Sequence, residues 1–187
     1  MIRPIRIYGD PVLHQRAAEV SVFDQELRGL VQDLFDTMDK APGVGLAAPQ
    51  IGVSLRVFVY SYPDDDDTPR RGVLINPSLS HSSLEPGPAD EELESEGCLS
   101  VPGERFALRR GERVIIEGVN LDQKPVRIEA EGWFARIFQH EFDHLNGIIY
   151  VDKLSFEARQ DAFKLMDELG WNKPGVTWLP GTDNLED

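Results

Sequence analysis

The stretch His140-Glu141-Phe142-Asp143-His144 organises the reading of this chain. It spells H-E-x-x-H. On a helix, residues four apart lie on one face, so both imidazoles can reach a single ion. Glu141 then sits roughly 100° further round the helix, where its carboxylate can act as a base toward water at that ion. Two neutral nitrogen donors and one carboxylate base are what metal-assisted hydrolysis needs, and this spacing supplies them. The ordinary alternative is a surface helix carrying two solvated histidines. The motif predicts a helix from about Ala130 to Leu145, with Gly147 available to end it.

Upstream of the motif, Arg113 to Glu117 and Pro125 to Glu129 alternate as strands. They flank the turn-rich Asn120-Leu121-Asp122-Gln123-Lys124, which predicts an antiparallel hairpin. Further back, Leu27, Leu30, Val31, Leu34, Phe35 and Met38 form an apolar stripe at helical spacing over Asp24 to Lys40, with Asp24 as N-cap. Arg56 to Tyr60 and Gly72 to Asn76 read as strands, the second ended by Pro77, with a loop over Ser61 to Arg71 between them. Ser78 to Ser95 reads as an irregular, turn-rich excursion with room for one short strand. Downstream, Ser155 caps a third helix that runs to about Leu169, with Gly170 as its stop. From about Trp171 the chain reads as an extended tail anchored by Trp171 and Trp178. The pattern is that of an α+β fold in one domain, residues 1–187.

Composition narrows the function classes. The chain has 187 residues, 41% of them hydrophobic and 28% charged, which suits one globular domain with a real core. No apolar run reaches membrane-spanning length, and the first residues lack a signal-peptide pattern, so a cytoplasmic location is expected. The net charge of −14 argues against direct binding to nucleic acid. The acidic run Asp64 to Asp67 reads as solvated loop. The acidic tail Asp183 to Asp187 offers no basic helix for docking on a ribosome. The single cysteine, Cys98, excludes an intramolecular disulfide and leaves three roles: filler, nucleophile or metal ligand.

Two histidines do not complete a catalytic metal site, which usually takes three protein ligands and keeps one position open. No histidine follows His144, and Tyr150 stands where the metzincin pattern would put one. The third ligand is therefore either a glutamate on the following helix, Glu157 or Glu168, or Cys98 in Glu96-Gly97-Cys98-Leu99-Ser100. Either leaves a divalent ion with one net positive charge, so charge alone does not choose. A thiolate would favour iron(II), zinc, cobalt or nickel over magnesium or calcium. The stretch Gly43-Val44-Gly45-Leu46-Ala47-Ala48-Pro49-Gln50-Ile51-Gly52 contains G-x-G-x-x-A, but it follows a helix and holds Pro49, which excludes a dinucleotide fold. No Gly-Lys-Ser/Thr makes it a phosphate loop. A structural turn or a backbone wall beside a ligand remains.

Gly43 to Gly52, Glu96 to Ser100 and Gln139 to His144, in that order, resemble the three signature motifs of the peptide deformylase family. The resemblance runs from about Ile5 to Ser155 and includes Gly9-Asp10-Pro11-Val12-Leu13. It implies antiparallel sheets around a central metal-binding helix. It also implies one divalent ion, iron(II) in the cell with zinc, nickel or cobalt as substitutes, held by Cys98, His140 and His144. The implied activity is removal of the N-formyl group from formylmethionyl polypeptides, with release of formate. Glu141 would be the general base, and the Gln50 amide and the Leu99 backbone N–H would donate to the oxyanion. Val44, Gly45 and the inward face of the helix from Trp133 would receive the methionine side chain. Trp133 and Arg136 are unusual at that face, where aliphatic residues are commoner, and Arg105 falls where the family often has an arginine near the substrate. The rival is an H-E-x-x-H metallopeptidase with Glu157 or Glu168 as third ligand. A binding module with a closed, structural metal site is a third reading. His14 and His81 lie outside the motifs and are expected at the surface.

Overall fold

Gly132 is the point where the main sheet turns into the motif-bearing helix. Its φ of +60° suits a residue without a side chain, and it lets a strand pass into a helix with no loop between them. The computed structural model describes residues 1–63, 69–183 and 185. In chain order the elements are β1 (Ile5–Arg6), α1 (Gln25–Lys40), β2 (Gly45–Ala47), β3 (Val57–Pro63), β4 (Pro69–His81), β5 (Ser95–Cys98), β6 (Val101–Ala107), β7 (Arg113–Val119), β8 (Pro125–Glu131), α2 (Gly132–Leu145), α3 (Phe156–Glu168) and β9 (Thr177–Trp178). The architecture is α+β. Strands β2-β3-β4-β7-β8 form an antiparallel sheet, and β5-β6 and β1-β9 form two small antiparallel pairs.

Strand β3 shows how the core divides. Successive strand side chains point to opposite faces, and here both faces are buried. Val57 and Val59 join the cluster beneath α1, with Leu34, Met38 and Trp178. Phe58 and Tyr60 join Phe134, Ala135, Ile137 and Phe138 of α2. The rings of Phe58, Tyr60, Phe134 and Phe138 lie 4.6–6.5 Å apart in tilted and edge-on arrangements. Such pairs add about 0.5–1.5 kcal/mol each beyond their area burial. Helix α2 is buried nearly all round, from Phe134 to Leu145, so its polar residues must find partners inside the protein.

Helix α1 matches its local signals. Asp24 accepts from the Glu26 and Leu27 N–H groups at 3.0 Å, and Leu27, Val31, Leu34 and Met38 are buried. Ser155 accepts from the Ala158 N–H at the start of α3, and Gly147 and Gly170 take positive φ after their helices.

Several boundaries differ from the expectation. The loop placed over Ser61 to Arg71 is strand at both ends, because β3 and β4 pair to Pro63↔Pro69. The Asp64–Asp67 run lies outside the described residues. Pro77 does not end β4. It falls in a register shift between Ile75 and Ser78, where the ladder requires no proline N–H. Residues 130–131 belong to β8 rather than to α2, because β7 and β8 stay paired to Arg113↔Glu131. Part of the Gly-rich stretch is strand β2, defined by pairing with β3. The segment after Trp171 adds β9 to the N-terminal β1, and Trp178 is buried there. Among the described residues no helix is long and apolar enough to cross a membrane.

Candidate metal centre

Three elements bring the donor atoms together. Helix α2 presents His140 and His144 on one face, and their Nε2 atoms are 3.2 Å apart. Strand β5 ends on Cys98, whose Sγ lies 3.3 Å from the His144 Nε2. All three donor atoms fall within 4.8 Å of one another, the one such group among the described residues. A tetrahedral ion with bonds of about 2.0–2.3 Å to nitrogen and sulfur needs donors roughly 3.3–3.7 Å apart, so the observed spacing fits one ion. Neither Glu157 nor Glu168 belongs to the group, which corrects the glutamate alternative. His14 and His81 are exposed and outside it.

The chemistry of the surroundings also fits a cation. His144 is held well below the ordinary imidazole range, chiefly by burial, and its Nδ1 is buried without a partner. His140 is held well above that range: burial opposes its charge, but Cys98 and Glu96 outweigh it and favour a positive centre at this ring.

A buried ion-pair chain fixes His140 from behind. The Glu96 Oε1 accepts from the His140 Nδ1 at 3.0 Å and from the Arg110 Nη2 at 2.6 Å. The Glu96 Oε2 accepts from the Arg110 Nε at 3.0 Å and the Arg136 Nη1 at 2.8 Å. Arg110 continues to Asp143 at 2.6 Å, and Asp143 to Lys153 at 2.9 Å. A carboxylate on the far nitrogen of a ligating histidine fixes its tautomer and orientation. Burial works against the Glu96 charge, yet Arg110 and His140 hold its carboxyl well below the usual carboxylate range. A carboxyl with a lowered folded-state pKa stabilises the fold above its unfolded value of 4.5, and that stabilisation is lost as pH falls. Glu96→Gln is therefore expected to be about 3 kcal/mol less stable near neutral pH. The gap to wild type should begin to narrow below about pH 4.5 and keep narrowing as pH falls toward the depressed folded-state value. Denaturant titrations across that range measure it, and a gap independent of pH would show that the ionised carboxylate is not what stabilises.

Glu141 points the other way, into the cavity. Burial lifts its carboxyl to about 7, and its Oε2 is buried without a partner. Gly45 makes room for it: a Cβ there would sit 2.3 Å from the Glu141 Oε1. Gln50 is anchored by its own turn. Its Oε1 accepts from the Ala47 N–H at 2.8 Å, which directs Nε2 toward the Ser100 Oγ at 3.3 Å and the Cys98 Sγ at 3.8 Å. The turn after Cys98 is held from outside. Tyr8 N–H donates to the Ser100 carbonyl at 3.0 Å, and the Trp178 Nε1 donates to the Leu99 carbonyl at 2.8 Å. The Leu99 N–H makes no hydrogen bond among the described residues.

Cys98, His140, Glu141, Gln50, Leu99, Val44 and Gly45 all line one cavity, with Arg105, Trp133, Arg136 and Tyr62. The site opens onto this cavity instead of being closed by four protein ligands, which disfavours a purely structural metal. Trp133 is 44% exposed at the rim, whereas Arg136 is buried and turned toward Glu96 and the Leu108 carbonyl. Sequence reasoning gave Glu96, Arg110 and Asp143 no role. Two of them sit inside the motifs beside metal ligands, which was the available signal; Arg110 offered none.

Comparison with known proteins agrees with this geometry. Residues 2–160 match the family model described as Polypeptide deformylase. Peptide deformylase 2 of Corynebacterium efficiens is 48% identical over 183 residues, covering 97% of this chain and 95% of that protein. Peptide deformylase of Rhodococcus opacus is 47% identical over 97% of this chain and 94% of its own. The crystal structure of a peptide deformylase from Legionella pneumophila superposes with a TM-score of 0.79 at 41% identity, covering 91% of this chain and 96% of that one. With one cysteine and two histidines brought together beside a cavity that Cys98, His140 and the buried Glu141 line, and with relatives that match over nearly their whole length, this chain belongs to the polypeptide deformylase family.

Proposed function

We propose that this chain is a metal-dependent hydrolase that removes the N-formyl group from new polypeptides beginning with formylmethionine, releasing formate and a free amino terminus. The observation that carries this is the Cys98–His140–His144 group, which opens through Cys98 and His140 onto a cavity that the buried Glu141 carboxylate also lines. Such substrates are made in the cytoplasm, which is where this activity would operate.

Cys98, His140 and His144 would hold the ion. When bound, the ion supplies Lewis acidity, lowering the pKa of water and polarising the formyl carbonyl. The Glu141 Oε2 takes a proton from the water that adds to the formyl carbon. It then passes that proton to the amine nitrogen as the C–N bond breaks. Burial raises this carboxyl, which favours its holding the proton between the two halves of the transfer. The Gln50 Nε2 and the Leu99 N–H donate to the oxygen that gains charge, and each is held by the contacts described above. Val44, Gly45 and the face of α2 between Trp133 and Ile137 receive the methionine side chain. Thiolate and imidazole donors suit iron(II), zinc, cobalt or nickel, and we assign iron(II) in the cell.

The test is formate release from a formyl-Met peptide, run beside cleavage of an internal peptide bond, with metal analysis of anaerobically purified protein. Formate release that a chelator abolishes, with the internal bond left intact, is the expected result. Internal cleavage without formate would replace this function with that of a metallopeptidase.

A further inference from the structure

Strand β6 carries a defect beside the cavity. Gly97 pairs with Arg105, but the next residue, Cys98, pairs with Val101. Pro102, Gly103 and Glu104 are thus left without partners on β5, and Gly103 takes a φ of +76°. Gly103, Glu104 and Arg105 line the cavity. A two-stranded sheet is marginal alone, and a bulged stretch has given up part of its ladder. Something else must hold this wall in place.

Tyr150 does so. It follows α2 in a short turn of 3-10 helix, Tyr150–Lys153, and is 1% exposed. Its hydroxyl donates to the Glu104 carbonyl at 3.2 Å. Among the described residues no other side chain hydrogen-bonds to the backbone of residues 102–104. The Tyr150 ring lies 6.0 Å from the His140 ring and 6.4 Å from that of Phe106. One side chain therefore spans from the metal-bearing helix to the bulged wall.

We infer that Tyr150 is a positioning residue, whose hydroxyl holds the bulged wall of β6 in register with the metal centre and so sets affinity for the substrate residues that follow methionine. This rests on the deformylase reading of the site. The ring packs and the hydroxyl tethers, so Tyr150→Phe removes the tether alone. Wild type and Tyr150→Phe holoenzymes would be assayed by formate release from a formyl-Met dipeptide and a formyl-Met tetrapeptide, with hydrogen exchange followed at residues 103–106. A lost hydrogen bond of ordinary strength predicts a KM for the tetrapeptide raised about three- to tenfold, with kcat and the dipeptide KM within about twofold. Exchange at 103–106 should quicken. Equal effects on both peptides, or loss of metal, would make Tyr150 a support for His140 and overturn the inference. So would an unchanged tetrapeptide KM. If wild type released no formate from either peptide, the deformylase reading would fail instead, and unchanged exchange would then refute the tether by itself.

Discussion

Glu141→Gln is expected to bind its metal ion normally and to lose about 10²–10⁴-fold in kcat for formate release, the usual contribution of a positioned general base. The substitution keeps volume and polarity, so the packing against Gly45 survives. What goes is the ability of Oε2 to accept and return a proton. That atom has no protein partner, so its proton can come from and go to substrate-side atoms instead of being tied up in a structural bond. Metal content by elemental analysis and kcat by formate assay are measured on one preparation. Turnover retained within tenfold of wild type would remove Glu141 from the base role, and loss of metal would recast it as a structural support.

Cys98→Ala is expected to weaken metal affinity by at least about 100-fold, beyond the 10–100-fold typical of losing an outer partner of a ligand. The fold should survive, because Cys98 is small and the turn after it is held through the carbonyls of Leu99 and Ser100, not through sulfur alone. Two donors 3.2 Å apart remain, but two imidazoles leave a divalent ion its full charge in a buried site. Competition with a chromophoric chelator measures the affinity, and circular dichroism checks the fold. Wild-type affinity in that variant would assign Cys98 to packing.

How much was legible in the sequence follows from how local each signal is. Helix α1 announces itself within its own residues, through Asp24 and the stripe from Leu27 to Met38. His140, Glu141 and His144 are likewise encoded by spacing within one helix. The third ligand lies 46 residues from His144, and residue chemistry alone left it open between Cys98 and a glutamate; the motif resemblance pointed to Cys98. Strand β2 was illegible, because three residues of a Gly-rich stretch become strand only through pairing with β3. The Glu96–Arg110–Asp143 chain was illegible for a similar reason. Its contacts join residues 14 and 33 apart in sequence, and an arginine looks the same in sequence whether solvated or buried. Pro77 lies within β4, although a proline usually ends a central strand, because the ladder is broken between Ile75 and Ser78.

The bond from the Trp178 indole to the Leu99 carbonyl spans 79 residues. Contacts of such long sequence separation pay their chain-closure entropy before they repay it, and they form slowly. The turn proposed to carry an oxyanion donor is therefore held on one side by a contact that closes only when the segment containing β9 is in place. A chain still being translated, with His140 and His144 already on their helix, would be able to gather the proposed ligands before that contact exists. Maturation would then proceed as an ordered sequence in time, with the ligands gathered first and this contact closed last.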